Sequence, residues 1–183
     1  MTENASSADN QQERPLNPNW ITGFVDGEGC FSISFVRQYG DAKRKGYITG
    51  YQVAHEFVIT QGEKSLQALQ RIKDFFGVGQ VHINRRVDKH REPMYRYVVR
   101  RRDDLIEIII PFFMKYPLQT AKQLDFMKFR QCVEIMNLKR HLTREGVVEI
   151  SKIVETMNRQ KSKQSLVGIL RDYTSDTTTV VKI

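Results

Sequence analysis

Alternating hydrophobic and polar residues predict four β-strands between positions 31 and 100. In each run, aromatic and β-branched side chains alternate with polar ones, which is typical of a sheet with one buried face and one open face. The runs are Phe31 to Arg37, Ile48 to Ile59, Gly79 to Asn84 and Met94 to Arg100.

The alternation also assigns side chains to the two faces of this sheet. One face carries apolar and aromatic residues that can pack on a core, and the opposite face carries mainly polar or basic residues. The core-side set is Tyr51, Val53, His55, Phe57, Ile59, Tyr95, Tyr97 and Val99, and the opposite set is Gln52, Ala54, Glu56, Val58, Arg96, Val98 and Arg100.

Apolar residues that recur every three or four positions predict helices before, between and after these strands. The first helix begins at Asn17 and Pro18, a favourable N-cap and first-turn pair, and ends at the Asp-Gly-Glu-Gly sequence of residues 26–29. A second helix runs from Ser65 to Phe76 and stops at Gly77. A third begins at Asp103 and Asp104, runs through Ile110 and ends before Pro111. The last two span about Gln119 to Leu138 and about Arg144 to Asn158, the latter with Thr143 as cap.

The last two helices are expected to bury one side each. The predicted inward residues are Leu124, Met127, Val133 and Ile135 in the first of them, and Val147, Ile150, Ile153, Val154 and Met157 in the second.

Length and composition favour a single domain. The chain has 183 residues, of which 40% are hydrophobic, and no run of about 18 apolar residues that could span a bilayer. The polar ends predict disordered tails at residues 1–16 and 174–183 around a domain at 17–173. Cys30 and Cys132 form no disulfide framework, and the N-terminus lacks a secretory signal, so we expect a reduced, intracellular protein with no membrane partner.

Positive charge coincides with the predicted sheet. The formal net charge is +8, and the segment from Arg37 to Arg102 holds fifteen Lys and Arg residues against six Asp and Glu. Arg, Gln, Asn and His on an open sheet face can reach phosphates and base edges in a DNA major groove. An ordinary solvated sheet face is the structural alternative, and a basic single-stranded nucleic-acid binder is a more remote functional one.

The first helix holds the candidate chemistry, in the string ITGFVDGEG at residues 21–29. Gly23 and Gly27 lie four residues apart on one helix face, where a second helix backbone can approach closely. Glu28 and the Gly27 carbonyl lie at the helix C-terminus, where free carbonyls favour a cation, and both donors are hard oxygens that suit Mg²⁺. Asp-Gly-Glu-Gly alone is usually a polar turn.

ITGFVDGEG resembles the signature of the LAGLIDADG homing endonucleases, and the predicted element order from about Pro18 to about Met157 is similar to the αββαββα order of that family. The resemblance implies an α+β fold with a four-stranded antiparallel DNA-binding saddle and C-terminal helices. It also implies an enzyme that cleaves double-stranded DNA with Mg²⁺, for which Mn²⁺ or Ca²⁺ can substitute in binding.

The resemblance assigns roles to individual residues. Glu28 would be the catalytic metal ligand and the Gly27 carbonyl a second ligand, while Asp26 would be structural. Gln61, in the family-like string FVITQ, would organise active-site water. The usual basic residue four positions later is Ser65 and the usual lysine position is Thr120, so Lys122 or Lys64 would supply the catalytic positive charge.

A single copy of the motif implies a C2 homodimer formed across Trp20, Gly23, Phe24 and Gly27, and therefore a pseudo-palindromic target of roughly 16 to 22 base pairs. Groove-facing candidates are Ser32, Ser34, Gln38, Gln52, His82, Asn84, Arg96 and Arg100. Candidates for phosphate contacts in loops are Arg44, Lys45, Arg85, Arg86 and Arg91.

A non-cleaving protein of the same fold is the competing hypothesis, either an intron RNA-splicing maturase or a DNA-binding regulator. Ser65 and Thr120 keep this alternative open. His55 and His141 have no metal-ligand spacing and are expected to be core or surface residues. The resemblance also implies a gene in an intron of a bacterium, an archaeon or an organelle such as a chloroplast or mitochondrion.

Overall fold

A computed structural model describes residues 15–38, 49–85 and 93–157. The first half of the described chain contains α1 (Pro18–Glu28), β1 (Gly29–Arg37), β2 (Tyr51–Gly62), α2 (Leu66–Phe76), β3 (Gln80–Ile83) and β4 (Met94–Val99). The second half contains α3 (Arg102–Asp104), a π-helical segment (Leu105–Ile109), α4 (Ile110–Lys115), α5 (Lys122–Asn137) and α6 (Arg144–Glu155). None of the described helices is long and apolar enough to cross a membrane.

The four strands form one antiparallel sheet in the order β1-β2-β4-β3. Phe57 lies opposite Phe31 on one side and opposite Val99 on the other, so the strand centres share one apolar face. Helices cover that face, and the opposite face is left open. The predicted α+β fold with a four-stranded antiparallel sheet is confirmed.

Local signals mark several helix ends as the sequence predicts. The Asn17 side chain accepts a hydrogen bond from the Asn19 amide at 2.8 Å, and the Thr143 hydroxyl accepts one from the Gly146 amide at 3.1 Å. Gly77 ends α2 with a φ of +67°, a left-handed conformation that glycine adopts without a Cβ penalty. These caps satisfy amides and carbonyls that have no partner inside the helix.

Aromatic side chains dominate the core between the sheet and the C-terminal helices. The Phe31 ring is 1% exposed, and its centroid lies 5.0 to 5.4 Å from four other rings. Burial of rings at such spacing combines loss of apolar surface with favourable offset and edge contacts. These four rings belong to Phe57, Phe113, Phe126 and Phe129.

The predicted buried side of α5 is wrong in its first half. Leu124 is 64% exposed and Met127 is 39% exposed, whereas the predicted Val133 and Ile135 are buried. Apolar residues occur all around this helix, so periodicity alone did not fix its orientation. The side with the larger rings is buried on the sheet, because those rings remove more apolar area from water. The buried residues of α5 are Phe126, Phe129, Cys132, Val133, Ile135 and Met136.

The prediction that a helix ends before Pro111 is also wrong. Helical backbone continues from Arg102 to Lys115, and the turns just before the proline are π-helical. The Ile110 amide donates to the Leu105 carbonyl, five residues earlier. A π turn widens the helix locally, which accommodates a residue that lacks an amide hydrogen and whose ring normally clashes with the preceding turn.

Replacement of Phe31 by alanine is expected to lower the free energy of unfolding by about 3 to 5 kcal/mol, because it opens a cavity where five rings meet. Urea denaturation of Phe31→Ala measures this loss. Phe75→Ala is the matched control, since Phe75 is 37% exposed and should cost less than half as much. Equal losses for the two variants would contradict the assigned core.

Candidate functional site

The C-terminus of α1 joins the sheet with no intervening loop. Glu28 is exposed at the last helical position, and Gly29 begins β1 opposite Ile59. A Cβ on Gly29 would lie 2.6 Å from Val25 Cγ1 and 2.9 Å from the Val25 carbonyl oxygen, so only glycine fits. This tight connection fixes Glu28 at the point where the helix meets the sheet.

Asp26 holds α1 against the turn that precedes α5. Its carboxylate accepts a hydrogen bond from the Gln119 amide at 2.6 Å and two from Thr120, from the hydroxyl at 2.7 Å and the amide at 3.3 Å. Thr120, at the position where the resemblance leads us to expect lysine, therefore braces α1. This geometry agrees with the structural role expected for Asp26.

Lys122, the first residue of α5, reaches the free carbonyls at the end of α1. Its Nζ donates to the Val25 carbonyl at 2.8 Å and to the Gly27 carbonyl at 3.3 Å. Burial lowers the pKa of Lys122, and the nearby side chains of Cys30, Asp26, Glu28 and Asp125 oppose that shift. An ammonium group in this position is stabilised by the negative end of the helix dipole.

These contacts distinguish between the two lysine candidates. Lys64 is exposed, and it lies next to Ser65 in the 3-10 turn Glu63–Ser65 that follows β2. Lys122 instead lies directly on the motif helix, beside Glu28. The structure therefore favours Lys122 as the basic residue of the candidate site.

Gln61 lies near the end of β2, half-buried and opposite Tyr95 of β4. It follows Ile59, the partner of Gly29, by two residues, so it extends past the start of β1 at the end of the sheet where α1 finishes. That register brings the strand carrying Gln61 to the same end of the sheet as Glu28. Its role with water stays a prediction.

The donors at the end of α1 suit a divalent cation but are few. The Gly27 carbonyl already accepts a bond from an ammonium group, and the exposed Glu28 carboxylate follows directly, so hard oxygen donors occur together at a cation-attracting helix end. Within the described residues, no group of three or more His, Cys, Asp or Glu side chains could hold a metal. A metal here needs additional oxygens from a second chain, nucleic acid or water.

The outward face of α1 is open at Gly23 and Gly27. A Cβ added to Gly23 or Gly27 would have no atom of this chain within 4 Å. Trp20 is 43% exposed, and its ring stacks on Phe24 with centroids 5.0 Å apart. All four residues predicted for the dimer interface thus share one helix, with an accessible aromatic pair beside a surface that a second backbone could approach.

The open face of the sheet carries the predicted groove-facing residues. The register places Ser32 opposite Glu56, Ser34 opposite Ala54, and His82 opposite Arg96. His82 is exposed, and the Gln38 side-chain amide donates to the Gln52 side-chain oxygen at 3.2 Å. Asn84 and Arg85 follow β3, whereas Arg44, Lys45, Arg86 and Arg91 lie outside the described residues.

Sequence reasoning missed a charge network on this face. Glu56 accepts a hydrogen bond from Arg96 at 2.8 Å and from Arg100 at 2.9 Å. One carboxylate thus holds two guanidinium groups that were predicted as separate DNA contacts. The polar alternation of β2 places Glu56 on the correct face, but only the strand register shows which arginines it meets.

Comparison with known proteins identifies the family. The model of the LAGLIDADG endonuclease family matches residues 21–133. Among solved structures, the homing endonuclease I-TnaI is 37% identical with a TM-score of 0.74, over 87% of this chain and 99% of that chain. The meganuclease I-SmaMI bound to uncleavable DNA is 30% identical with a TM-score of 0.74, over 87% of this chain and 50% of that chain. The chain therefore belongs to the LAGLIDADG endonuclease family.

Curated relatives of this chain are longer proteins named for introns. A probable intron-encoded endonuclease 2 of Neurospora crassa is 30% identical over 164 residues, which are 87% of this chain and 31% of the relative. A 50.9 kDa protein in ND4 intron 1 of Podospora anserina is 38% identical over 131 residues, which are 70% of this chain and 26% of the relative. The chain thus spans less than a third of the length of these two relatives.

Proposed function

We propose that this protein is a site-specific homing endonuclease that hydrolyses both strands of a long pseudo-palindromic double-stranded DNA site in a divalent-metal-dependent reaction. The observation that supports it most is the position of Lys122 on the carbonyls beside Glu28, at the end of the motif helix and at the edge of an open basic sheet. In this proposal Glu28 and Lys122 both lie where a bound duplex would place a phosphate.

Each residue has a distinct task in this reaction. Glu28 and the Gly27 carbonyl would hold a divalent cation, with Mg²⁺ expected, which when bound stabilises negative charge on the attacking and leaving oxygens of the phosphodiester. Lys122 places positive charge beside the scissile phosphate, where it offsets the charge that develops during in-line attack. Gln61 orients the attacking water. Asp26 holds α1 against the turn that precedes α5.

A second copy of the motif helix would complete the site. One Glu28 and one carbonyl leave a cation short of protein ligands, and a partner helix packed on Gly23 and Gly27 would bring a second Glu28 to the two-fold axis. Each sheet then contacts one half of the target, which accounts for its proposed length of roughly 16 to 22 base pairs.

Readout of the target is assigned to the open face of the sheet. The Glu56 carboxylate holds Arg96 and Arg100, so these guanidinium groups are presented in a fixed orientation, which suits bidentate contact with guanine. Ser32, Ser34, Gln38, Gln52, His82 and Asn84 complete the groove-facing set. Arg85 would contact phosphates, together with Arg44, Lys45, Arg86 and Arg91, for which the sequence predicts loops.

The names of the relatives bear on the source. Introns of fungi, including ND4 intron 1, encode the relatives described above, which favours an organelle over a bacterial or archaeal cytoplasm as the place where this protein acts.

Selection of bound duplexes from a randomised DNA library in Ca²⁺ tests the proposal, because Ca²⁺ often supports binding without turnover. Enrichment of one pseudo-palindromic sequence is the expected result. No enrichment from duplex DNA, together with tight binding of a folded intron RNA, would contradict it and support the maturase alternative. Enrichment of single strands without sequence preference would contradict both.

Lys122→Met is expected to lower the cleavage rate of the selected duplex by about 100-fold, because it removes positive charge from the reacting phosphate. Binding in Ca²⁺ should weaken far less. Single-turnover cleavage and a binding titration measure the two effects.

Lys128→Met is the matched control for this variant. Lys128 lies on the same helix but away from the candidate site. Its Nζ also donates to a carbonyl, that of Thr156, at 2.6 Å. Cleavage by the control should remain near wild type. Equal loss in both variants, or full cleavage by Lys122→Met, would remove the catalytic role from Lys122.

A further inference from the structure

A cleft of about 290 Å³ lies at the end of the sheet where β4 stops short of β2. Val99, the last residue of β4, pairs with Phe57, so within the described residues the preceding part of β2 has only β1 as a strand neighbour. The turn Arg140–Leu142 and the start of the helical segment at Arg102 close the cleft. Its lining includes His55, Arg100, Arg102 and His141.

Three side chains that line this cleft carry four buried polar atoms with no hydrogen-bond partner among the described residues. They are both ring nitrogens of His55, Nε of Arg102 and Nδ1 of His141. Buried polar atoms without partners are rare in folded proteins, because each loses its hydration with no compensation. All three side chains line the cleft, so a species bound there would be close to donors that have no partner within the described chain.

The Arg102 side chain is held in place although its Nε has no partner. Its Nη1 donates to the Met136 carbonyl at 3.0 Å, and its Nη2 lies 3.4 Å from His141 Nε2. Two of its nitrogens are therefore anchored to the end of α5 and the following turn. Such anchoring fixes the Arg102 guanidinium at the wall of the cleft.

The ionisable side chains around the cleft are cationic, imidazole or phenolic. They are Arg100, Arg102, His55, His141 and Tyr51, with no carboxylate in the described lining. Glu56, the residue that follows His55 in β2, is acidic, but its carboxylate binds Arg96 and Arg100 on the open face. The positive charge of Arg102 is therefore uncompensated within the cleft.

Burial and the charge of Arg102 lower the pKa of both histidines in the cleft. Burial, the charge of Arg102 and the proximity of His141 lower the pKa of His55 to about 4, against a smaller opposite effect of the Arg100 backbone. Burial and Arg102 also lower the pKa of His141. An anion in the cleft would reverse the electrostatic part of both shifts, since it would favour the charged imidazoles.

We propose that this cleft binds a phosphate group through Arg102, His55 and His141. A tetrahedral oxyanion supplies several acceptors at once, and the cleft has room for it together with a few waters at about 30 Å³ each. The site contains neither Glu28 nor Lys122, so it goes beyond the proposed endonuclease function. The phosphate belongs either to the backbone of a bound nucleic acid, which Arg100 and Gln52 at the cleft could meet from the open face, or to a free phosphate or nucleotide.

Histidine side-chain NMR during titration with inorganic phosphate at constant ionic strength tests this proposal. The resonances of His55 and His141 should shift with saturation, while exposed His82 should move little. In the phosphate-bound protein the titration midpoint of His55 should rise above its free value. Equal, unsaturated shifts of all histidines, or no shifts, would show an adventitious ion only or no site, and either would overturn the proposal.

Two variants separate binding from folding. Arg102→Gln should abolish the saturable shifts, and His141→Gln, which leaves Arg102 in place, should weaken phosphate binding several-fold. Arg101→Gln is the matched control, because Arg101 is exposed and pairs with Asp103 and Asp104. Saturable binding that persists in both Arg102→Gln and His141→Gln would overturn the assignment even if one variant is less stable.

Duplex DNA in place of inorganic phosphate identifies the source. If DNA moves the same two resonances and Arg102→Gln reduces the slope of log affinity against log salt by about one, the ligand is a backbone phosphate. If DNA binds without moving them while inorganic phosphate does, the ligand is a free phosphate. Because neither arm measures cleavage, failure here is distinguishable from failure of the endonuclease assignment.

Discussion

Glu28→Gln is expected to reduce the rate of DNA cleavage by about 100- to 1,000-fold or more while leaving sequence-specific binding largely intact. The amide keeps the shape of the side chain but carries no charge, so it is a poor ligand for a hard divalent cation. Glu28 is exposed at the end of α1 and makes no contribution to the core. Single-turnover cleavage in Mg²⁺ and binding in Ca²⁺ measure the two properties separately.

Glu155→Gln is the appropriate control, since it removes the same charge from an exposed helical position at the end of α6. It should cleave and bind like the wild type. Full cleavage by Glu28→Gln would eliminate the metal-binding role, and parallel loss of binding and cleavage would indicate a structural role instead.

Gly23→Leu is expected to prevent pairing of the chains without harm to the fold of each one. No atom of the same chain lies within 4 Å of a Cβ at this position, and replacement of a helical glycine should raise helix stability by up to about 1 kcal/mol. In a C2 assembly the new side chains would meet at the close approach of two helices. Overpacking at about 1 to 3 kcal/mol per subunit would weaken association by roughly 2 to 6 kcal/mol.

Sedimentation velocity across a concentration series and thermal unfolding together test this prediction. The variant should stay monomeric at concentrations where the wild type dimerises, and double-strand cleavage should be lost. At concentrations low enough for both proteins to be monomeric, its melting temperature should be unchanged or higher, because association itself stabilises the folded wild type. Gln67→Leu, which adds the same side chain at an exposed position of α2, should dimerise and cleave normally. Normal assembly and cleavage by Gly23→Leu would contradict an interface at this helix face.

Much of the fold was predictable because its signals are local. Alternation in β2 and β4 identified the buried face, and Asn17, Gly77 and Thr143 marked helix ends through their own backbone and side-chain chemistry. The motif string gave the position of Glu28 because its glycines and acids occur at fixed spacing on one helix. Such features need no knowledge of distant partners.

The features that were missed depend on contacts between distant residues. Lys122 meets the Val25 carbonyl across 97 positions, and Asp26 meets Thr120 across 94, so neither contact leaves a trace in local pattern. The predicted orientation of α5 was wrong because Leu124 and Met127 are as apolar as the residues that are buried. The Glu56 network likewise required the register of β4 against β2.

Cleavage of the selected duplex by the wild-type chain in Mg²⁺ is the most direct test of the proposed function. With each strand labelled separately, we expect one discrete cut in each strand near the centre of the pseudo-palindrome, and none when the metal is chelated. Specific binding of that duplex with both strands intact in Mg²⁺ and in Mn²⁺ would contradict the endonuclease assignment and identify a binding protein of the same fold.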